Sequence, residues 1–205
     1  MIGDLFSLSI GDLSDLQVRD YHVAKAPRIE SQGERIHFEH TDIVVHAAAR
    51  AHIMRDDIAD PLAEYRKVNR DATLTLARMV SEAGVKRFVF VSSIGVNGNQ
   101  NTSPFTENDE LHPDDPYSLS KYEAEQGLLQ IANETGMEVV IIRPPLVYGE
   151  NAPGNFGSLV KWVNKFIPLP LGAINNQRYL VHLKILWILS HCVLIVLSKQ
   201  RMRYF

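Results

Sequence analysis

Short runs of apolar residues alternate with longer segments of mixed character along this chain. Three of the apolar runs, residues 42–49, 86–93 and 138–143, hold their apolar side chains consecutively rather than in alternation. That pattern is typical of strands that are covered on both faces of a sheet. We therefore predict three buried strands at these positions.

Between and after these runs, apolar residues recur with the spacing of a helix. The segment 60–83 opens with Asp60, a residue type that caps helices, and continues with Pro61, which suits the first helical position. Two further helices are predicted at 118–135 and 155–166. Strands that alternate with helices of this length predict an α/β fold with a parallel sheet.

Composition narrows the range of partners. The 205 residues are 45% apolar, and 21 Lys and Arg residues nearly balance 24 Asp and Glu residues. This balance gives no reason to expect nucleic acid or an anionic membrane surface as a partner. Cys192 is the only cysteine, and the amino terminus lacks the basic segment of a secretory signal. We therefore expect a cytoplasmic protein.

A strongly apolar run near the carboxyl terminus, residues 185–197, raises the question of a membrane segment. It is thirteen residues long and is flanked by Lys184 and Lys199. A helix needs roughly 20 apolar residues to cross the hydrocarbon core of a bilayer. The length favours a buried helix or strand and makes membrane association the weaker interpretation, although it leaves an anchor open.

Three histidines are of a residue type that binds metals. His46, His52 and His182 do not show the spacing of a metal site, and a hydrogen-bonded structural histidine is the simpler interpretation of each. The sequence therefore predicts no metal.

A phenol and an ammonium lie four residues apart at Tyr117 and Lys121. On a helix these positions share a face, so the two groups can approach each other. A phenol has a pKa of about 10, and it becomes a base near neutral pH only if that pKa falls to about 7, a change worth about 4 kcal/mol. Because a nearby cation favours phenolate, the pair suits proton transfer. Taken alone the pair is weak evidence, and a half-exposed helix face is the simpler interpretation.

Small and polar residues at the predicted strand ends give this pair a context. Ser92 and Ser93 end the second strand, 24 residues before Tyr117, and small residues at 47–49 follow the first strand. Ligands of open α/β sheets bind at the carboxyl ends of the strands. A serine there can hydrogen-bond the substrate oxygen that a tyrosine protonates or deprotonates.

Five segments in this order resemble the extended short-chain dehydrogenase/reductase family, the NAD-dependent epimerases and dehydratases of sugar nucleotides. The details are most similar to its UDP-glucose 4-epimerase-like branch. The segments are DIVVHAAAR (42–50), VN (68–69), GVKRFVFVSSI (84–94), YSLSK (117–121) and RPPLVYG (143–149).

The resemblance implies a Rossmann-like, doubly wound parallel sheet, NAD as cofactor and a nucleotide sugar as substrate, and it allows a homodimer. It makes Tyr117 the acid/base, places Lys121 at the nicotinamide ribose, and gives Ser93 the substrate oxygen. In such an epimerase, hydride leaves the sugar C4 for NAD and returns to the other face. The implied cofactor contacts also include Asp12, Ala47, Ala48, Ala49, Asn69, Ser92 and Pro144, and the implied substrate contacts include Asn155 and Arg178.

The residues after Ser93 help to choose the reaction. The 4,6-dehydratases of the family carry an Asp-Glu pair after the site serine or threonine, whereas Ile94 and Gly95 follow it here. Neither residue ionises. The resemblance therefore favours an epimerase, with a reductase of a small carbonyl compound as the alternative.

The sequence also departs from the family's pattern. It contains no Gly-x-x-Gly-x-x-Gly, the turn that cradles a pyrophosphate. We therefore expect an incomplete fold without the first βαβ unit and without most of the substrate domain. On this interpretation, residues 1–172 are a partial dinucleotide-binding domain, and 173–205 are a remnant of the substrate domain or an aberrant apolar tail. A truncated, inactive family member is the second alternative.

Overall fold

The computed structural model describes residues 38, 41–51, 59–106, 108–149, 155–166, 179–186 and 202–204. The chain divides into two units, 1–37 and 38–205, and every described residue belongs to the second. The expected domain boundary after residue 172 lies outside the described residues.

A parallel sheet forms the centre of the described unit. Its four strands lie in the order β1-β2-β3-β6, and β4 and β5 form a separate parallel pair. Val89 of β2 lies between Val45 of β1 and Val140 of β3. The three predicted strands are confirmed. The strands are β1 (Ile43–His46), β2 (Arg87–Val91), β3 (Glu138–Ile142), β4 (Leu146–Tyr148), β5 (Leu180–His182) and β6 (Met202–Tyr204).

Helices connect the strands of this sheet, as the alternating pattern predicted. One long helix, with a π-helical segment in its middle, connects β1 to β2. A second long helix connects β2 to β3. The helices are α1 (Pro61–Tyr65), a π-helical segment (Arg66–Asp71), α2 (Ala72–Glu82), α3 (Pro116–Thr135) and α4 (Asn155–Asn164).

The first long helix begins and ends where its sequence predicts. The Asp60 carboxylate accepts a hydrogen bond from the Ala63 N–H at 3.0 Å, and the chain leaves the helix at Gly84, whose φ is +83°. Four of its five buried residues fall every four positions, at 65, 69, 73 and 77, and the fifth, Val80, follows three positions later. An α-helix turns once per 3.6 residues, so such a stripe drifts by about 40° per step. The π-helical turn absorbs part of this drift.

The helix α3 begins two residues before its predicted start. The Asp115 carboxylate accepts from the Ser118 N–H at 3.0 Å, and Pro116 takes the first helical position. The helix ends at Gly136, which has a φ of +77°. This φ lies in the left-handed region that glycine adopts without a steric penalty.

Both faces of the sheet are covered. Phe88 and Phe90 point to the face that packs against α2 and α3, whereas Val89 and Val140 belong to a second cluster that includes Leu186. Burial on both faces explains the consecutive apolar residues of the strands. The Rossmann-like α/β fold class predicted from the sequence is therefore confirmed.

The described part of the apolar run 185–197 consists of two residues. Leu186 is buried in the second cluster and Ile185 is half exposed. The remaining positions of the run lie outside the described residues. Within the described part of the chain, the helices are too short or too polar to cross a bilayer.

Candidate active site

The carboxyl end of β2 and the first turn of α3 bring Ser93 and Tyr117 to the same edge of the sheet. The hydroxyl of Ser93 accepts from the Gly95 N–H at 3.2 Å and caps a single 3₁₀ turn. This turn packs on α3 so closely that a Cβ on Gly95 would overlap the Ser118 hydroxyl. Ser118 is the residue after Tyr117, so the predicted serine and tyrosine lie on abutting segments.

The phenol of Tyr117 is half-buried and available for a ligand. Its ring packs edge-on against Tyr65, with the ring centroids 5.9 Å apart. Among the described residues, its hydroxyl has no hydrogen-bond partner. Burial raises the pKa of Tyr117 to about 12, with smaller contributions from the Asp115 carboxylate and from Tyr65.

The side chain of Lys121 is buried at the end of β2. Its Nζ atom donates to the Val91 carbonyl oxygen at 2.8 Å and lies 4.2 Å from the ring centroid of Phe90. Burial lowers the pKa of Lys121 to about 7, and the charge of Glu125 opposes this shift. An ammonium has three N–H donors, and two of those of Lys121 have no protein acceptor within the described ranges.

These two side chains correct the electrostatic argument made from the sequence. We expected the ammonium of Lys121 to lower the pKa of Tyr117, but the pKa of the phenol is raised. The ammonium bonds the Val91 carbonyl instead of the phenol, and it is itself partly neutral near pH 7. Shared helical spacing therefore placed both groups at the site without pairing them. In the ligand-free state Tyr117 is a proton donor.

A half-buried histidine lies near the lysine. The ring of His46 stacks on Phe90 with 6.0 Å between centroids, and its Nε2 atom is 3.0 Å from the Thr73 hydroxyl. Burial, followed by the charge of Lys121, lowers the pKa of His46 to about 4. His46 is thus neutral and structural. His182 packs edge-on against Tyr148, and His52 lies outside the described residues. No group of three or more potential metal ligands occurs among the described residues.

The side chain of Asn69 ties three segments together. Its Oδ1 atom accepts from the Arg50 N–H at 2.8 Å, and its Nδ2 atom donates to the Arg50 carbonyl and to the Ser120 hydroxyl, both at 3.1 Å. Ser120 in turn donates to the Tyr117 carbonyl at 2.7 Å. Asn69 was expected at the cofactor. In the ligand-free chain its polar atoms hold the loop after β1 against α3, and the cofactor contact stays a prediction.

Ser92 was also predicted to contact the cofactor, and this stays a prediction. In the ligand-free chain its hydroxyl donates to the buried Glu125 carboxylate at 2.5 Å. Glu125 is paired with Arg143 at 2.6 Å, and Arg143 donates to the Asn97 side chain at 3.2 Å. These four side chains form one buried network beneath the strand ends.

The other predicted contacts are placed in part. Residues 47–49 follow β1 directly, with Ala47 and Ala49 half-buried and Ala48 exposed. The Pro144 carbonyl accepts from the Ile94 N–H at 3.1 Å and so joins the turns after β2 and β3. Asn155 begins α4, and the position of its side chain is not described. Asp12 and Arg178 lie outside the described residues.

Sequence reasoning missed the polar residues that support the site. Glu125 lies four residues after Lys121 and therefore on the same helix face, and this spacing could have revealed it. Ser120, three residues after Tyr117, could have been found in the same way. Asn97 gives no comparable signal, because its partner Arg143 is 46 residues away.

An open parallel sheet with a serine after one strand end, and a tyrosine and a buried lysine on the adjoining helix, has the architecture of a dinucleotide-binding domain. The model of the NAD dependent epimerase/dehydratase family matches residues 22–183, and the chain belongs to this family, as its motifs predicted. It is 51% identical, over 146 residues, to the UDP-glucose 4-epimerase of Vibrio cholerae, covering 70% of this chain and 44% of that protein.

Solved structures agree with this assignment of the fold. DesIV of Streptomyces venezuelae, a dTDP-glucose 4,6-dehydratase with NAD bound, superposes with a TM-score of 0.68 at 27% identity, covering 80% of this chain and 51% of that one. The UDP-N-acetylglucosamine 4-epimerase of Methanobrevibacter ruminantium superposes with a TM-score of 0.66 at 26% identity, covering 80% and 54%. The chain spans about half the length of the curated relatives that it matches.

Proposed function

We propose that this chain carries the catalytic edge of an NAD-dependent sugar-nucleotide 4-epimerase whose substrate is a UDP-hexose. The observation that carries the proposal is a set of polar groups at one edge of a parallel sheet that have no hydrogen-bond partner among the described residues. These are the Tyr117 hydroxyl and the two remaining N–H donors of the Lys121 ammonium. The name of the Vibrio cholerae relative supports the reaction.

The residues at the strand ends fit a nicotinamide nucleoside. Buried donors such as those of Lys121 are costly unless they find acceptors, and a ribose diol supplies two. The alanines at 47–49 leave room for a flat ligand to lie close to the backbone after β1. NAD, when bound there, supplies the acceptor and donor of hydride for the sugar C4. We assign no residue of this chain to the pyrophosphate.

Tyr117 is the proton-transfer group in this proposal. Its phenol is protonated at neutral pH, because its pKa is about 12 without a ligand. Positive charge brought beside it lowers that pKa, so that the phenol can lose its proton to solvent. The phenolate then takes the proton of the sugar C4 hydroxyl and later returns it to the C4 oxygen. Ser93 lies on the abutting turn, where its hydroxyl can hydrogen-bond the same oxygen.

The turn after β2 favours epimerisation over elimination. A dehydratase needs a second acid or base to remove water from the sugar, whereas Ile94 and Gly95 offer no titratable group beside Ser93. Proton transfer by one residue and reversible hydride transfer suffice for a 4-epimerase. We infer that the protein acts in the cytoplasm, where nucleotide sugars are substrates, and that it can form a homodimer.

The proposal is tested with the purified full chain, NAD in excess, and UDP-glucose or UDP-N-acetylglucosamine in a coupled assay. We expect wild-type turnover with one of these sugars and a loss of at least a hundredfold in Tyr117→Phe, since proton transfer typically contributes about 10²–10⁴-fold. Tyr122→Phe, on the same helix, is the matched control and should retain activity. Wild-type protein that neither binds NAD nor turns over either sugar would refute the proposal.

A further inference from the structure

Glu125 is the one acidic side chain that is fully buried among the described residues. It lies on α3, one helical turn after Lys121 and two turns after Tyr117. The proposed chemistry gives it no role. Burying a carboxylate costs desolvation free energy, which its hydrogen-bond partners must offset. Those partners therefore indicate the role of Glu125.

Each partner of Glu125 adjoins a residue of the candidate site. Its Oε1 atom accepts from the Ser92 hydroxyl at 2.5 Å, and Ser92 precedes Ser93. Arg143 donates to both carboxylate oxygens, at 3.0 and 2.6 Å, and Arg143 precedes Pro144. One carboxylate on the acid/base helix thus holds the carboxyl ends of β2 and β3.

The network extends from the strands to the long connection before α3. Arg143 donates through Nη1 to the Oδ1 atom of Asn97, the first residue after the 3₁₀ turn. Backbone hydrogen bonds around this turn also join the end of β2 to the end of β3. The Ser92 N–H donates to the Ile142 carbonyl at 2.7 Å, and the Ile94 N–H donates to the Pro144 carbonyl at 3.1 Å.

Stability alone does not account for such an arrangement. Apolar residues of similar volume often replace a buried ion pair without loss of stability, whereas the planar, two-bond Arg–carboxylate contact fixes both distance and direction. The groups fixed here are backbone segments next to Ser93 and Pro144. A requirement for their placement would account for a charged pair at this buried position.

We propose that Glu125 is a positioning residue, which with Arg143 fixes the ends of β2 and β3 against α3 and so sets Ser93 at its working distance from Tyr117. The catalytic meaning of this role rests on the proposed function. The positioning itself is a property of the ligand-free chain.

The chain provides a matched control in a second ion pair, which joins β2 directly to β3. Arg87 at the start of β2 donates to Glu138 at the start of β3, at 2.7 Å, and the Arg87 side chain is also buried. This pair lies at the opposite, amino ends of the strands. Glu138→Gln therefore removes the same charge and the same kind of contact far from the site.

The test is hydrogen exchange followed by mass spectrometry on the ligand-free full chain. In Glu125→Gln we expect amides of residues 92–97 to exchange at least tenfold faster, while those of 88–90 in the interior of β2 stay protected. In Glu138→Gln the amides of 92–97 should exchange as in the wild type. Where Glu125→Gln does not fold, Glu125→Asp, which keeps the charge and shortens the side chain, is measured against the same criteria.

The inference is overturned if amides 92–97 of the Glu125 variant exchange at the same rate as in the wild type. It is also overturned if exchange is faster by the same factor over the whole sheet. In the active protein we expect kcat to fall at least tenfold with less than a threefold change in KM. Hydrogen exchange does not depend on turnover. An inactive wild type would therefore refute the proposed function, whereas the exchange rates would still test the positioning role.

Discussion

The side chain of Asn69 makes three hydrogen bonds in a fully buried position, and its removal should cost measurable stability. Asn69→Ala breaks its bonds to the Arg50 N–H, the Arg50 carbonyl and the Ser120 hydroxyl. A typical hydrogen bond contributes about 1 kcal/mol, and each buried partner left unsatisfied adds about 1–3 kcal/mol. Because Arg50 is half-buried and Ser120 keeps its bond to Tyr117, we expect a total near the low end, about 3 kcal/mol.

Thermal and urea unfolding of the purified chain measure this loss. For a chain of this size, 1 kcal/mol corresponds to roughly 2–4 °C, so the expected decrease in Tm is roughly 6–12 °C. Asn133 lies exposed on α3, and Asn133→Ala is the matched control, expected to stay within about 0.5 kcal/mol of wild type. Equal Tm values for the two variants would refute the assignment of Asn69 as a clamp.

A third variant separates hydrogen bonding from packing. Asn69→Asp keeps the acceptor for the Arg50 N–H, but it faces the Arg50 carbonyl with an oxygen where a donor is needed. Buried without a cation among its hydrogen-bond partners, this carboxylate should be more destabilising at pH 7 than alanine, and the difference should shrink as the pH falls toward 5. A variant as stable as wild type at pH 7 would contradict the hydrogen-bond assignment.

Two further predictions concern Lys121 and Gly136. The folded pKa of Lys121, about 7, lies below its ordinary value of 10.5, so the unfolded state binds more protons between these values and stability rises with pH across that window. Urea unfolding should show wild type gaining stability relative to Lys121→Met by a few kcal/mol between pH 7 and 9.5, and a constant difference would contradict the buried ammonium. Gly136→Ala should lose about 1 kcal/mol in thermal unfolding, because its φ of +77° penalises a Cβ although no atom lies within 4 Å, and an unchanged Tm would contradict this helix end.

The sequence predicted the strands and helices well because their signals are local. Asp60 and Pro61 at the start of one helix, and Gly136 at the end of another, act through neighbouring backbone groups, and each does so in the structure. The start of α3 was predicted two residues late, since Asp115 caps the helix and Pro116 takes its first position.

The sequence predicted which residues belong to the candidate site, but it did not predict which hydrogen bonds they make. Motif order identified Ser93, Tyr117 and Lys121, and helical spacing placed the last two on one face. The direction of the Lys121 ammonium depends on the Val91 carbonyl, 30 residues earlier in the chain. The partner of Asn69 on α3 is 51 residues away. Contacts between residues so distant in sequence carry no periodic signal, so an electrostatic argument from spacing alone gave the wrong sign for the phenol.

The π-helical segment makes the length of this helix a constraint on its sequence. Deleting one residue from Arg66–Asp71 would leave a regular α-helix with an unbroken set of hydrogen bonds. It would also rotate Tyr65 by about 100° relative to Thr73, since each residue of an α-helix turns by that angle. Tyr65 would then leave its edge-on contact with Tyr117. A deletion that local helix energetics would favour should therefore cost this fold its contact between the two tyrosines.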